Sequence, residues 1–461
     1  MDHSIIISSL SKILGNKNII VDETVRLDYG KDLTQKYIPN PIAIIFPENT
    51  QQIVDVVKLA NSIPFALVPS GGRTGYSGGA VAISREVVVS FEKMNRIIDF
   101  NIRDRIVTCE AGITTRSIQN FAKINNLCYP IDFAAVDNCQ IGGNVATNAG
   151  GIRVIYYGMT RNWVCGLKVV TGQAEVLEFN HGLTKNATGY DFKNLFVGSE
   201  GTLGFITEIS LKLTTQPNNV KVLLFSLNDI SCFNEVLESF NTNMDVHAFE
   251  FFSELALHYV ISESKMRYPF RHPAPYYGLI EYESTSENEE AVNKIISNLL
   301  RAKSLKEILR SHNINETNEF WKYRKNISLS LRKFYPYKYD IAVLPSKMIC
   351  LINELTDLFN VLIPNLKIVW FGHIGDGNIH LNILKPDQED KLKFFTLCDK
   401  ISDSVYVIVQ KYQGTISAEH GIGLLKKPFL KYSRTPIEIK YMKNIKKLFD
   451  PNNIMNPGKL F

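Results

Sequence analysis

The segment Pro69-Ser-Gly-Gly-Arg-Thr-Gly-Tyr-Ser-Gly-Gly-Ala80 places five glycines directly after the strand-like run Ala66–Ser70. Backbone without Cβ can approach a diphosphate closely and aim successive N–H groups at it. The spacing matches neither GxGxxG nor the P-loop, which needs Gly-Lys followed by Ser or Thr. Taken alone, the segment reads either as a cofactor loop or as a plain tight turn. A second segment, Ile141-Gly-Gly-Asn-Val-Ala-Thr-Asn-Ala-Gly-Gly151, is nearly free of large side chains. A core segment would not give up so much apolar burial, so close contact with a large flat or charged ligand explains it better. A third, Asn194-Leu-Phe-Val-Gly-Ser-Glu-Gly-Thr-Leu-Gly204, leads into the strand-like FITEISLKL. Three such segments in one α/β region point to a dinucleotide.

Outward from these loops, short β-branched runs between about Ile42 and Leu213 alternate with helix-like pieces such as Thr50–Ile63 and Thr115–Asn125, a mixed α/β pattern. Ile5, Ile6, Leu10 and Leu14 recur at helical spacing and predict a short amphipathic helix at the start. The polar, proline-bearing TTQPNN at Thr214–Asn219 is the best candidate boundary. Beyond it the helical stretches lengthen (Cys232–Asn241, Asn288–Lys303, Ser346–Phe359, Lys391–Tyr412) between strands such as YGLIEYE and KIVWFGH, which predicts an α+β domain with an antiparallel sheet. A final helix over Pro436–Phe449 is stopped by DPNNIMNPGK. The expected organisation is a first domain over 1–215, a second over 216–415, and a segment 416–461 that packs back on the first.

With 461 residues, 45% hydrophobic and 21% charged, the chain has the make-up of a folded globular protein and not of a disordered chain or a coiled-coil rod. A net charge of +5 is too small over this length to announce a nucleic-acid-binding protein, and it leaves anionic substrates or lipid surfaces open. The seven cysteines are scattered without a CxxC pair, which excludes a cysteine-ligated cluster and fits reduced thiols in the cytoplasm. The first fifteen residues lack a basic start and an apolar core, so no secretion signal is read. Apolar runs fall short of a bilayer's thickness, so any membrane contact is expected to be peripheral.

The strongest chemical signal lies in Gly372-His373-Ile-Gly-Asp-Gly-Asn378-Ile-His380-Leu-Asn382. Two histidines seven apart, separated by Gly375 and Gly377, suit strand, turn and strand, so both imidazoles can converge on one point. A further cluster, Ser417-Ala-Glu419-His420-Gly-Ile-Gly423, adds a carboxylate and another imidazole between small residues. Two histidines and a glutamate suit a borderline divalent ion such as zinc or manganese. A single strand histidine is more often a hydrogen-bonded core residue, but the glycine company favours function here, whereas His3, His181, His247, His258, His272 and His312 lack it. Earlier in the chain, Arg324 and Ser328 stand four apart and would share one helix face, and Lys338 follows at the next strand. A guanidinium fork, a hydroxyl and an ammonium together would bind a carboxylate. The alternative is a solvated basic face that includes Arg332 and Lys333.

PSGGRTGYSGGA, IGGNVATNAGG and KNATGYDFKNLFVGSEGTLGFITE together resemble the FAD-binding domain of the vanillyl-alcohol oxidase type. The resemblance implies FAD, expected to be non-covalent because no histidine lies in 69–80 or 141–151, with Pro69, Gly71, Gly72, Thr74, Gly75, Ser77 and Gly78 at the pyrophosphate and Gly142, Gly143 and Asn148 flanking it. It puts Gly198, Glu200, Gly201 and Ile206 against adenine and ribose, and Pro130 and Asp132 also fit the pattern. The histidine segments resemble the FAD- and metal-dependent D-2-hydroxy acid dehydrogenases, and with the closing FDPNNIMNPGK the similarity runs over nearly the full chain. By that resemblance His373, His380 and Glu419 hold the metal, His420 is the catalytic base and contacts substrate, and Asn382 contacts substrate.

The Arg324 block is similar to the D-2-hydroxyglutarate branch, in which Arg324, Ser328 and Lys338 would contact a distal carboxylate; Lys325 departs from the glutamate usual there. The implied reaction is oxidation of a D-2-hydroxy diacid, D-2-hydroxyglutarate first and D-malate second, to the 2-oxo acid. The implied partners are an electron-transfer flavoprotein or a membrane quinone as acceptor and a second copy in a homodimer, with no nucleic acid. The rivals are a D-lactate or glycolate dehydrogenase of the same family and, from another class, a non-catalytic flavin-binding electron-transfer subunit. The latter would carry a broken metal site, whereas His373, His380, Glu419 and His420 are all present.

Overall fold

The computed structural model describes residues 3–34 and 36–461; Met1 and Asp2, part of the stretch searched for a secretion signal, lie outside the described residues. The chain divides into two compact units. The first comprises Met1–Gly150, Met159–Gln216 and Glu419–Phe461, and the second Gly151–Gly158 and Pro217–Ala418.

In the first unit a four-stranded sheet runs in the order Ile19–Ile20, Ala43–Ile45, Val87–Ser90, Leu67–Ser70. Val87–Ser90 is parallel to both of its neighbours, Ala43–Ile45 and Leu67–Ser70. These strands read as continuous apolar runs because a parallel sheet is covered on both faces. The crossover helix Thr50–Ser62 starts where the Asn49 side chain accepts from the Gln52 N–H, and it buries Ile53, Val54, Val56, Val57 and Ala60. The first glycine loop leaves the carboxyl end of Leu67–Ser70, the end at which open parallel sheets bind ligands. A second, five-stranded antiparallel sheet follows the order Ile97–Asn101, Ile106–Glu110, Gly204–Lys212, Val164–Thr171, Val176–Phe179.

The end of the chain is built into this unit. Leu67 donates its N–H to Ile454 and accepts from Asn456, both at 2.8 Å. The buried Lys446 ammonium donates to the carbonyls of Thr202 (2.8 Å) and Met455 (2.6 Å) and pairs with Asp450. The helix Pro436–Phe449 opens with a capping box between Thr435 and Glu438 and proline in its first turn.

The second unit is built on a seven-stranded, wholly antiparallel sheet ordered Glu307–Arg310, Val220–Leu227, Tyr276–Glu283, Val246–Ser253, Ile368–His373, Asn378–Ile383, Tyr337–Ala342. Phe252, Leu257, Tyr277, Trp321, Ile327 and Phe371 belong to one buried core where helices cover the sheet. The mixed helix-and-sheet class with antiparallel strands is as the sequence predicts.

The boundaries differ from 215 and 415: the breaks fall after Gln216 and Ala418, and Gly151–Gly158, read as part of the first domain, belongs to the second unit. Side-chain pairing is the reason. Arg153 binds the buried Glu281 carboxylate through two hydrogen bonds of 2.6 and 3.1 Å, and the Tyr156 ring lies 4.2 Å from that of His247. The helix expected over Ser346–Phe359 runs over Met348–Leu362 instead, because Pro345–Lys347 forms a separate 3₁₀ turn. Among the described residues no helix is long and apolar enough to cross a membrane.

Candidate active site

In the first unit the glycine segments converge on a cavity of about 970 Å³, counting space open to solvent. Of the residues expected at the pyrophosphate, Pro69, Gly71, Gly72, Thr74, Gly75 and Ser77 line it. Gly142, Gly143, Glu200, Gly201 and Ile206 line it as well. A Cβ on Gly72 would stand 1.9 Å from the Asn138 carbonyl oxygen, so only glycine lets the loop lie there. A Cβ on Gly143 would meet nothing within 4 Å, which leaves an open cradle at that position. Segment 141–151 is partly helical: Ile141–Thr147 forms two turns whose glycines hid the helix in the sequence pattern.

Five other expected residues stand outside the lining. Gly78, at φ 80°, supports the loop from behind by donating its N–H to Asp32 at 2.8 Å. Asn148, left-handed at φ 49°, accepts from the Arg161 N–H, and Gly198 donates to the Val145 carbonyl. Pro130 is buried and Asp132 half-buried on the segment after Leu127–Cys128. Lining residues that the sequence did not reveal include Asp32, Phe91, Gln140 and Phe205. Nothing in their local pattern marks them, because each reaches the cavity from a different element.

Glu200 has a second task beyond lining. It is buried, sits at φ 52°, and accepts from the N–H groups of Ile422 (2.7 Å) and Gly423 (2.8 Å). Burial pushes its pKa up, against those two hydrogen bonds. It therefore anchors the turn that follows His420, whose ring lies 5.2 Å from Tyr76 and lines the same cavity. Glu419 rests against Gly150, where a Cβ would come within 2.6 Å of its carboxylate oxygen. Gly150 of the second segment thus makes room for a carboxylate.

In the second unit, strand alternation gathers the remaining candidates. The pairings Phe371↔His380, His373↔Asn378, Lys338↔Asn382 and Asp340↔His380 put His373, His380, Asn382, Lys338 and Asp340 on one face of the sheet. Glu250 joins them through Phe252↔Phe371. The two imidazoles meet with Nε2 atoms 3.3 Å apart. On the far side of each ring stands a fully buried carboxylate: Glu250 Oε1 at 2.7 Å from His373 Nδ1, and Asp340 Oδ1 at 3.7 Å from His380 Nδ1. Asp340 is held by Asn378 (3.0 Å) and by the Ala418 N–H (3.2 Å). Neither Glu250 nor Asp340 was expected from the sequence.

Arg324 is buried against this face, its Nε 2.7 Å from Glu250 Oε2 and its guanidinium 5.0 Å from the Phe371 ring centre. Its Nη2 and the Nδ2 of Asn382 are buried donors without a hydrogen-bond partner. Desolvation, aided by the Arg332 charge, pushes the half-buried Lys338 down to about 7. One expectation fails here. Arg324 and Ser328 do not share a helix face, because the helix Ile314–Lys325 ends at Asn326 and Ser328 lies in the separate turn Ile327–Ser330.

Residues 41–180 match the FAD binding domain, and residues 216–460 match the C-terminal domain of FAD linked oxidases. A D-2-hydroxyglutarate dehydrogenase of Stutzerimonas stutzeri is 46% identical over 99% of this chain and 98% of that protein. One of Xanthomonas citri pv. viticola is 43% identical over 94% of this chain and 92% of that protein. Among solved structures, p-cresol methylhydroxylase superposes with a TM-score of 0.79 at 16% identity, over 99% of this chain and 96% of that one, a likeness of fold. With both family domains present and relatives matched end to end, the chain belongs to the FAD-linked oxidases as an oxidoreductase of the FAD-dependent D-2-hydroxy acid dehydrogenase family.

Proposed function

We propose that the protein oxidises D-2-hydroxyglutarate to its 2-oxo acid, using FAD and a divalent metal ion, zinc first. The names of the two bacterial relatives support the substrate. The residues fit both groups. For FAD, Gly143 leaves its cradle open, and the buried Gln140 Oε1 at the cavity has no hydrogen-bond partner. For the metal, the single observation that carries the reading is the 3.3 Å between the His373 and His380 Nε2 atoms. Tetrahedral ligands with metal–nitrogen bonds of about 2.05 Å stand roughly 3.3 Å apart. A carboxylate behind each imidazole, as Glu250 and Asp340 supply, is how metal-bound histidines are oriented. Glu419 is proposed as the third ligand, a carboxylate that suits the same borderline ion as two imidazoles.

FAD, when bound, supplies a two-electron acceptor for the hydride that leaves C2. The metal, when bound, supplies Lewis acidity that makes the 2-hydroxyl easier to deprotonate. This chain's residues do the rest. Arg324 presents Nη2 to the distal carboxylate while Glu250 keeps its Nε in place; Lys338, on the same face of the sheet, completes that subsite, and Asn382 offers its unpaired Nδ2 to the reacting end. His420 removes the hydroxyl proton on an imidazole nitrogen, a base suited to neutral pH. As the C2–H electron pair departs, the C2–O bond becomes a carbonyl and the 2-oxo acid leaves. D-malate, one methylene shorter, is the second substrate. D-lactate and glycolate offer no distal carboxylate to Arg324. An electron-transfer flavoprotein or a quinone would take the electrons onward.

The test is the flavin spectrum of the anaerobic enzyme titrated with D-2-hydroxyglutarate before and after metal removal. Bleaching that disappears on chelation and returns with zinc is the expected result. Bleaching unchanged in metal-free enzyme would remove the metal from the mechanism.

A further inference from the structure

The helix Pro436–Phe449 in the first unit has an unusual outer face. Ile437, Tyr441 and Leu448 are 68%, 65% and 64% exposed. At positions i, i+4 and i+11 they fall within one narrow stripe of a 3.6-residue helix. Beyond the helix end, the buried Phe449 packs edge-on against Phe192 at 6.4 Å, and Phe192, 38% exposed, packs against Tyr190, 89% exposed, at 6.4 Å, a second exposed pair separate from the stripe. Asn444 interrupts the row between Tyr441 and Leu448, yet soluble proteins seldom line up large apolar side chains on one exposed helix face unless something covers them.

Charge identifies what fits. Lys440 and Lys447 border the stripe along one side and Lys443 lies beyond them, whereas Glu438 is the one acidic residue of the helix and its carboxylate is turned back to the Thr435 N–H. We infer that this face docks the enzyme on an anionic lipid surface, with Ile437, Tyr441 and Leu448 entering the headgroup boundary and the lysines meeting lipid phosphates. Apolar anchors, tyrosines and a one-signed basic border are what interfacial helices combine. A second copy of this chain fits less well. Two such helices packed antiparallel about a two-fold axis would bring the lysine border of one against that of the other, since matching flanks face each other in that arrangement.

Flotation of the FAD-loaded enzyme with phosphatidylcholine vesicles, with and without phosphatidylglycerol, tests this. The expected result is co-flotation with the anionic vesicles alone, weakened by salt. The Ile437→Ser/Leu448→Ser double variant and, independently, Lys440→Glu/Lys447→Glu should each lower partitioning about tenfold or more. Reduction of a soluble dye by substrate should stay unchanged, which separates a docking defect from a failure of the catalytic reading. Wild-type enzyme that stays with neither vesicle, or variants that float undiminished, would overturn the proposal. Variants that fall from dimer to monomer in light scattering, with no lipid binding by the parent, would assign the face to a second copy instead. The charge-reversal variant carries the test if the apolar one does not fold.

Discussion

Arg324 Nε lies 2.7 Å from Glu250 Oε2, and the other oxygen of the same carboxylate lies 2.7 Å from His373 Nδ1. One buried acid therefore ties the proposed carboxylate-binding arginine to a proposed metal ligand. Glu250→Gln should lower metal affinity roughly 10- to 100-fold. It should also destabilise the fold by about 3 kcal/mol, because the arginine is left buried without its counter-charge. Metal content after dialysis and a urea melt measure the two effects. A variant with normal metal content and a raised Michaelis constant alone would show that Glu250 serves Arg324 only.

Arg324→Ala should raise the Michaelis constant for D-2-hydroxyglutarate by roughly ten- to a hundredfold, the worth of a hydrogen bond to a charged group. The constant for D-lactate should change far less. A substrate panel with dye reduction decides, and equal effects on both substrates would remove Arg324 from the distal subsite.

Chelation should strip the metal and leave the flavin in place. The two proposed sites draw on different residues: His373, His380 and Glu419 are not among the residues that line the glycine cavity. Flavin absorbance retained through a desalting column after metal removal is the readout; joint loss would mean that the two groups are held cooperatively.

Gly143→Ala and Gly72→Ala should part company. At Gly143 a methyl group enters open space in a helix, so melting stays level or rises by the small gain of alanine over glycine while FAD affinity falls. At Gly72 the methyl collides with the Asn138 carbonyl, and the fold itself loses about 1–3 kcal/mol. Flavin titration of the apoproteins together with melting curves separates the cases.

A thiol probe at neutral pH should label Cys350 first, since it is exposed. Burial holds Cys109 protonated well above the usual thiol range and pushes Cys165 up to about 11, so neither offers a thiolate to the probe. Mass spectrometry of alkylated peptides with and without denaturant checks the order. Rapid labelling of Cys109 in the native enzyme would mean that its surroundings open.

The glycine loops, the family and the two histidines at 373 and 380 were legible from residue type and spacing, because glycine without Cβ and imidazoles flanking a turn leave few structural options. Chain order could not reveal Glu250 and Asp340: nothing local marks a buried acid on an antiparallel strand, and only the register of the sheet brings Glu250 across from His373 and Asp340 beside His380. Likewise no local pattern marks Asp32 or Gln140 as cavity residues, and the Arg153–Glu281 pair that ties Gly151–Gly158 to the second unit spans distant parts of the chain. Local composition determines where backbone can approach a cofactor; long-range pairing decides which charges stand behind the groups that do the chemistry, since a buried charge persists only where the fold brings it a partner.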